Sequence, residues 1–193
     1  MPSSQSPLRE RWWPFDIKPR IANFIHTLGR TQVMLGETGE GLKNLRKGCD
    51  MWRSVSGPFS LSAYAAEAAI HLLEADQIDA AREFVMLGER IQAETEEQHF
   101  AAELKRLRGR FADLENDGLL AETCYRAAIE TAEHQGARLF ALRAASDLAT
   151  LLQSRGGAEE AIAVLRPIYD WFSSRWDYPD LRRAKTVMAS LRA

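Results

Sequence analysis

The sequence predicts an all-α protein: a superhelix of four antiparallel helical hairpins followed by a C-terminal capping helix. The first observation is composition. Alanine outnumbers Val, Ile and Thr combined, and this excess of a strong helix former disfavours a sheet. The second is the spacing of apolar residues in steps of three and four, as in Leu104, Leu107, Phe111 and Leu114. The third is an internal repeat with a period of about 40 residues.

The repeat consists of small and apolar residues at the same positions of each unit. The first small residue lies at Gly29, Ala69, Gly109 and Ala149. A second follows 12 positions later, at Gly41, Ala81, Ala121 and Ala161. An apolar residue comes four positions on, at Leu45, Val85, Tyr125 and Leu165. Three further on stand Gly48, Gly88, Ala128 and Ile168. Two helices approach to roughly 8–10 Å only where their side chains are short, so these positions predict the helix crossings.

A turn residue recurs between the two small residues of each unit, at Gly36, Asp76, Asn116 and Gly156. These residue types tolerate the left-handed conformation that ends a helix. They divide the chain into predicted helix pairs at 17–35 and 39–54, 59–74 and 78–94, 98–115 and 118–134, and 138–154 and 157–174. Pro58 suits the first turn of the third helix, where a missing N–H does no harm. The short links Glu96–Gln98 and Gln135–Ala137 predict antiparallel neighbours.

The predicted units cover 17–57, 58–97, 98–137 and 138–176. Residues 1–16 are rich in Ser, Pro and charge, which is typical of a tail. Segment 177–193 predicts a capping helix, because a repeat array needs a last element with one polar face. Its apolar face would consist of Leu181, Ala184, Val187, Met188 and Leu191.

Charge and composition narrow the classes of function. The net charge is −2 and the pI is about 6.1, which disfavours a binder of nucleic acid. The N-terminus lacks the apolar segment of a signal peptide, and no apolar run approaches the roughly 18 residues of a membrane span. Cys49 and Cys124 lack metal-ligand spacing and predict reduced thiols. The sequence therefore predicts a cytoplasmic protein that does not bind a membrane itself.

The small–small–apolar–small order, with its spacings of 12, 4 and 3, resembles the tetratricopeptide repeat (TPR) from about residue 20 to 174. The usual TPR period is 34 rather than 40. The family's first-helix aromatic is replaced here by Gln32, Leu72, Ala112 and Leu152, and its closing proline is missing. The resemblance implies stacked helical hairpins and a function in binding a protein or peptide.

Four segments resemble a particular TPR region, the C-terminal tail of bacterial class III adenylyl/guanylyl cyclases that also carry an ATPase domain. These segments are 39–57, 101–111, 121–172 and 177–188, the last reading DYPDLRRAKTVM. The cyclase and ATPase domains themselves are absent from this sequence, so no catalytic residue can be transferred to it. The resemblance implies a regulatory array in bacterial signalling, with a cyclase or ATPase domain as partner.

No constellation for catalysis, a cofactor or a metal is recognisable. The segment GETGEGLK at 36–43 lacks the Gly-Lys-Ser/Thr of a phosphate-binding loop and follows a predicted helix rather than a strand. No histidine stands three or four residues from another histidine or from a cysteine. The sequence therefore predicts a protein that is not an enzyme and needs no cofactor.

The first helices of TPR arrays line a concave groove, and the positions expected to face it are rich in arginine. We expect His26, Arg30, Arg106, Arg110 and Arg143 to converge there and to bind a peptide, favouring an acidic one, because arginine pairs well with carboxylates. The alternative is a solvated face with salt bridges to Glu67, Glu103 and Asp113.

A second candidate for partner binding is the pair Trp12 and Trp13 in the tail. These rings could cover the apolar end of the first hairpin, or they could dock on another domain or subunit. Two functional hypotheses follow. The chain is a scaffold that binds a peptide or partner domain, or it is a regulatory fragment or stand-alone relative of a cyclase/ATPase signalling protein.

Overall fold

A computed structural model describes residues 17–172 and 177–191, and within these ranges the fold is all-α, as predicted. Nine helices are described, and no strand occurs among these residues. Their bounds are α1 Lys18–Met34, α2 Thr38–Ser56, α3 Leu61–Glu74, α4 Ile78–Thr95, α5 Ala101–Leu114, α6 Gly118–His134, α7 Arg138–Ser154, α8 Ala158–Asp170 and α9 Pro179–Ser190. In the described part of the chain no helix combines the length and apolarity needed to span a bilayer.

The helices pack as four consecutive hairpins, α1/α2, α3/α4, α5/α6 and α7/α8. Each first helix also contacts the first helix of the next hairpin, so α1, α3, α5 and α7 form one layer, which α9 extends by packing on α7 and α8. The second helices make at most marginal contact with one another. The layer of first helices is therefore the more closely packed side and forms the inner face.

The four predicted turn residues all adopt the left-handed conformation. Their φ angles are 85° at Gly36, 57° at Asp76, 62° at Asn116 and 82° at Gly156. This conformation ends each first helix, and the second helix begins two residues later at Thr38, Ile78, Gly118 and Ala158. The turn chemistry therefore sets the length of every first helix.

The small and apolar residues of the repeat are buried in every unit, as the predicted crossings require. In the first hairpin, a Cβ added to Gly48 would lie 2.8 Å from the backbone Cα of His26. In the third hairpin, a Cβ on Gly109 would lie 3.2 Å from the carbonyl oxygen of Ala121. Glycine costs about 1 kcal/mol in a helix relative to alanine, and this close approach explains its use.

Four bounds of the hairpin helices differ from the prediction by two residues or more: α2 ends at Ser56 rather than at 54, α5 begins at Ala101 rather than at 98, and the start of α3 and the end of α8 also differ. Helix α3 begins at Leu61 rather than at 59, because Gly57 and Ser60 have φ angles of 72° and 61°, which a right-handed helix does not allow. Pro58 thus lies in the preceding turn and not in the helix. Helix α8 ends at Asp170 rather than at 174, and Pro167 removes one N–H donor from its last turn.

The buried apolar residues form two clusters that meet on α5. Leu104, Leu107 and Phe111 belong to the cluster of the first two hairpins. Ala102 and Ala112 belong to the cluster of the last two hairpins and α9. The predicted cap is part of this second core, since Leu181, Ala184, Met188 and Leu191 are buried and Val187 is half-buried.

We expect Gly48→Ala to lower the free energy of unfolding by about 1–3 kcal/mol, because the new methyl group would force the α1/α2 crossing apart. Gly39→Ala is the matched control on the same helix. Its Cβ would meet nothing within 4 Å, so it should leave stability unchanged or raise it by up to about 1 kcal/mol. Urea denaturation of both variants tests this, and equal midpoints would contradict the close approach.

Candidate partner-binding groove

A groove of about 800 Å³ runs along the inner face and is lined by the first helices and α9. Arg30, Arg106, Arg110 and Arg143 all line it, so the structure brings together four of the five groove residues expected from the sequence. Arg183 of α9 joins them. Their role in binding a partner stays a prediction, and their environments differ strongly.

Arg106 lies at the centre of a buried ion-pair network. Its Nε and Nη2 donate to the two carboxylate oxygens of Glu103 at 3.1 and 2.7 Å, and its Nη1 donates to Asp147 Oδ2 at 2.7 Å. The exposed fractions of Arg106, Glu103 and Asp147 are 4%, 0% and 4%. Two carboxylates thus satisfy one guanidinium, which is how a buried charge is tolerated.

The network continues onto α9. Arg143 donates to Asp180 Oδ1 and Oδ2 at 3.0 Å each and approaches Glu103 Oε1 at 3.4 Å. Arg183 donates to Asp147 Oδ1. Three arginines and three carboxylates therefore alternate in one chain that joins α5, α7 and α9. Glu103, Arg143 and Arg183 occupy equivalent positions of successive units, one repeat period apart, and the change of sign between Glu103 and Arg143 was the signal in the sequence.

The sequence predicts that Arg106 offers its guanidinium to a peptide in the groove, but this side chain is buried and already paired. Burial alone would lower the pKa of Arg106, but Glu103 and Asp147 raise it above its ordinary value. Burial acts to raise the pKa of Asp147, and Arg106 and Arg183 outweigh it, so that this pKa is lowered. Both residues are held in their charged forms by the fold, and Arg106 is unavailable as a separate ligand for a peptide.

The alternative prediction for this face was a set of salt bridges between the arginines and Glu67, Glu103 and Asp113, and two of these three carboxylates do form them. Arg30 pairs with Glu67, and Glu103 pairs with both Arg106 and Arg143. Asp113 forms no ion pair with any residue of 17–172 or 177–191. The predicted line of arginines is thus largely neutralised by neighbouring carboxylates.

Arg110 differs from the other groove arginines. It is half-buried and lines the groove, and its guanidinium forms no hydrogen bond or ion pair with the residues that the structure describes. Arg110 affects Glu74 only through its charge. The pKa of Glu74 is lowered mainly by a hydrogen bond with His71, and the charges of Arg106 and Arg110 add to this effect. Arg110 is therefore a groove cation whose guanidinium has no hydrogen-bond or ion-pair partner among the described residues, whereas Arg30 pairs with Glu67 and leaves its buried Nε without a partner.

His26 does not face the groove, contrary to the prediction. It is 2% exposed between α1 and α3, where Nε2 donates to the backbone carbonyl of Tyr64 at 3.0 Å. Its ring centroid lies 4.6 Å from that of Tyr64, edge to face. Burial, assisted by the charge of Arg30, lowers the pKa of His26 to about 4. His26 therefore packs in the interior as a neutral imidazole. It lies against the backbone of Gly48, which leaves no room for a side chain at position 48.

Two aromatic side chains that the sequence did not single out form one wall of the groove. Phe100 and Phe140 stand at the starts of α5 and α7 with ring centroids 5.3 Å apart, and both line the groove. The guanidinium of Arg143 lies 5.9 Å from the centroid of Phe140. The two phenylalanines are one repeat period apart, so the repeat itself was the available signal.

The remaining candidates add no second site. Trp12 and Trp13 lie outside the described residues. Cys49 is buried, which raises its pKa to about 12, and Cys124 is half-buried; neither forms a disulfide. The described ranges contain no cluster of three or more His, Cys, Asp or Glu side chains suited to a metal ion.

Comparison with known proteins identifies the fold. The chain is similar to a crystal structure of nearly identical TPR-like repeats, from a protein described as a kinesin light chain of Podosopora anserina. The TM-score is 0.63 at 16% identity, over 92% of this chain and 87% of the other. No protein-family model and no curated protein matches the sequence. The structural similarity therefore establishes a TPR-like repeat fold, and at this identity it establishes the fold alone.

We expect Asp147→Asn to lower the free energy of unfolding by about 3–5 kcal/mol, because Arg106 would remain buried with one carboxylate partner removed. Glu83→Gln is the matched control. It breaks the Arg46–Glu83 pair, whose side chains are 53% and 63% exposed, and it should cost at most about 1 kcal/mol. Chemical denaturation compares the two, and equal losses would mean that burial does not distinguish these ion pairs.

The buried His26 predicts a loss of stability in mild acid. Its folded pKa of about 4 lies below the ordinary 6.5, so the unfolded chain binds the proton more readily. The stabilisation is complete above about pH 6.5 and is lost as the pH falls towards 4, by up to about 3 kcal/mol. His26→Gln should flatten the stability profile between pH 7 and 5, and His134→Gln, at an exposed side chain without an ion pair among the described residues, is the matched control. A profile unchanged by His26→Gln would contradict the neutral buried imidazole.

Proposed function

We propose that the chain is a non-catalytic, TPR-like interaction module that binds a peptide or a segment of a partner protein in its inner groove. The observation that carries this proposal is Arg110, a half-buried guanidinium that lines the groove without a partner among the described residues. A charged group whose donors are unused inside a groove favours an anionic ligand group at that place.

The apolar wall supports a ligand with a second feature. Phe100 and Phe140 line the same groove as Arg110, together with Leu139 and Ile70. Ligand sites commonly combine apolar walls, which supply affinity, with a few polar groups, which fix orientation. The ligand we propose is therefore a peptide that presents a carboxylate next to a bulky apolar side chain. A uniformly acidic peptide is less well supported, because most groove arginines are already paired.

The ion-pair network contributes to binding indirectly. It fixes α5, α7 and α9 relative to one another through Arg106, Arg143 and Arg183, so the groove needs little ordering when a ligand enters. Less conformational entropy is then lost on association. We assign these three arginines to the shape of the groove and Arg110 to direct contact with the ligand.

We expect Arg110→Glu to weaken binding at least tenfold while the helical content and unfolding midpoint stay close to those of the unchanged protein. Peptides selected from a random library on the unchanged protein provide the probe, and fluorescence polarisation gives the affinities. The reason is that like charges would face each other across the groove. Affinity for the unchanged protein should also fall as salt is raised, since the contact is charge-assisted.

Lys105→Glu is the matched control, because Lys105 is an exposed cation on the same helix that does not line the groove. It should bind as the unchanged protein does. Equal affinities for all three proteins would contradict the role of Arg110. Selection of peptides without carboxylates would contradict the ligand class.

A second candidate function rests on the resemblance of 101–111, 121–172 and 177–188 to the tail of bacterial cyclases with an ATPase domain. In this proposal the module is a regulatory fragment or stand-alone relative, and its partner is a cyclase or ATPase domain. Co-expression with such a domain from the same genome tests it. Co-purification together with altered nucleotide turnover supports this function, and unchanged turnover with separate elution contradicts it.

A further inference from the structure

Helix α1 and its flanking residues carry a row of exposed apolar side chains on the side turned away from the core. These residues, here called the α1 seam, are Ile17, Ile21, Phe24, Leu28 and Leu35, with exposed fractions of 53%, 41%, 67%, 39% and 73%. The opposite side of the helix is buried at Ala22, His26, Gly29 and Val33. The helix therefore has two sides fit for packing, and only one of them is covered in the described structure.

The seam has the spacing of a helix–helix contact. Its residues follow one another in steps of four, three and four, and Thr31 completes the series before Leu35. A narrow row of this kind is characteristic of packing against one other helix. The second hairpin supports this assignment. The positions equivalent to Ile21, Phe24 and Leu28 in the next unit are Leu61, Tyr64 and Ala68, and all three are buried.

We propose that the occupant of the α1 seam is the α1 seam of a second copy, packed antiparallel across a two-fold axis. An antiparallel pair centred on position 26 would place Ile17 opposite Leu35 and Phe24 opposite Leu28 of the other copy. Ile21 would face Thr31. Apolar side chains then meet in most pairs, which is the self-complementarity that a two-fold interface requires.

The available area fits a dimer. At the exposures given above, the five seam residues offer roughly 500–600 Å² per copy, and Met34, at 67% exposure, flanks them. Two copies therefore approach the roughly 1,200–2,000 Å² that specific protein interfaces bury. A seam of this size is at the upper end of the largest apolar patch on a typical monomer, and such patches commonly mark interaction sites.

Charge and sequence favour this occupant and orientation. Lys18 and Arg20 lie in the first turn of α1, so an antiparallel partner would bring them towards its helix C-terminus, where the dipole favours positive charge. The segment before α1 is a weaker candidate for a helical occupant. It contains Pro2, Pro7 and Pro14, which leave only short runs free of proline within 1–16.

Sedimentation of the full chain from nanomolar to high micromolar concentration tests the proposal. The unchanged protein should form a dimer, and Phe24→Glu should weaken dimerisation roughly 100-fold or more, because a carboxylate would enter an apolar interface on each copy. Leu119→Glu is the matched control, an equally drastic change at a residue 77% exposed on α6. It should leave the dimer unchanged.

The orientation is tested by disulfide cross-linking. A mixture of Ile17→Cys and Leu35→Cys proteins should form a cross-linked pair, whereas Thr31→Cys alone should not, and the unchanged protein with Cys49 and Cys124 is the background control. Efficient cross-linking of Thr31→Cys would overturn the antiparallel arrangement. A monomer at all concentrations would overturn the proposal. If the protein is monomeric and Phe24→Glu lowers its unfolding midpoint, the α1 seam is covered by another segment of the same chain.

Discussion

The inner face of this molecule depends on the matching of buried charges along α5, α7 and α9. Glu103, Arg106 and Asp147 are almost completely buried, and none of them could remain charged there without the others. Their mutual satisfaction holds three helices from two hairpins and the cap in one register, since each ion pair has a fixed donor–acceptor geometry. The aromatic wall and the position of Arg110 follow from that register. The groove thus lies beside an ion-pair network whose own members are already paired with one another.

The fold was predictable because its requirements are local and repeated. Gly36, Asp76, Asn116 and Gly156 were recognisable as turn residues from their type alone, and each has a positive φ. The buried crossings, such as Gly109 against Ala121, followed from small residues at constant spacing. Because the same turn and the same close helix packing recur in all four units, few other architectures are compatible with the sequence. The start of α3 was predicted less well, because the two left-handed residues Gly57 and Ser60 have no matching pair in the other units.

The site was predictable only in outline, because the state of a charged side chain depends on distant partners. Arg106 and Arg110 are one helical turn apart and look alike in the sequence. They differ because Asp147, on the next hairpin, reaches Arg106, while no described residue bonds Arg110. His26 was misplaced for a related reason: its surroundings are set by Tyr64 and Gly48 on two other helices. Periodicity locates such residues on a helix face, but it does not reveal which of them the neighbouring hairpin covers.

The alternation of sign along the network restricts how the array can change by recombination. Repeat arrays commonly lengthen or shorten by whole units, since neighbouring units are related in sequence and contact each other in equivalent ways. Here Glu103 contacts Arg143 at the equivalent position of the next unit, so copying the third unit would place two buried carboxylates at neighbouring positions in a water-poor interior. The third hairpin, the fourth hairpin and the cap are therefore expected to be retained together when the number of units changes. Changes in unit number would be tolerated more easily at the other end, where the first hairpin takes no part in the network.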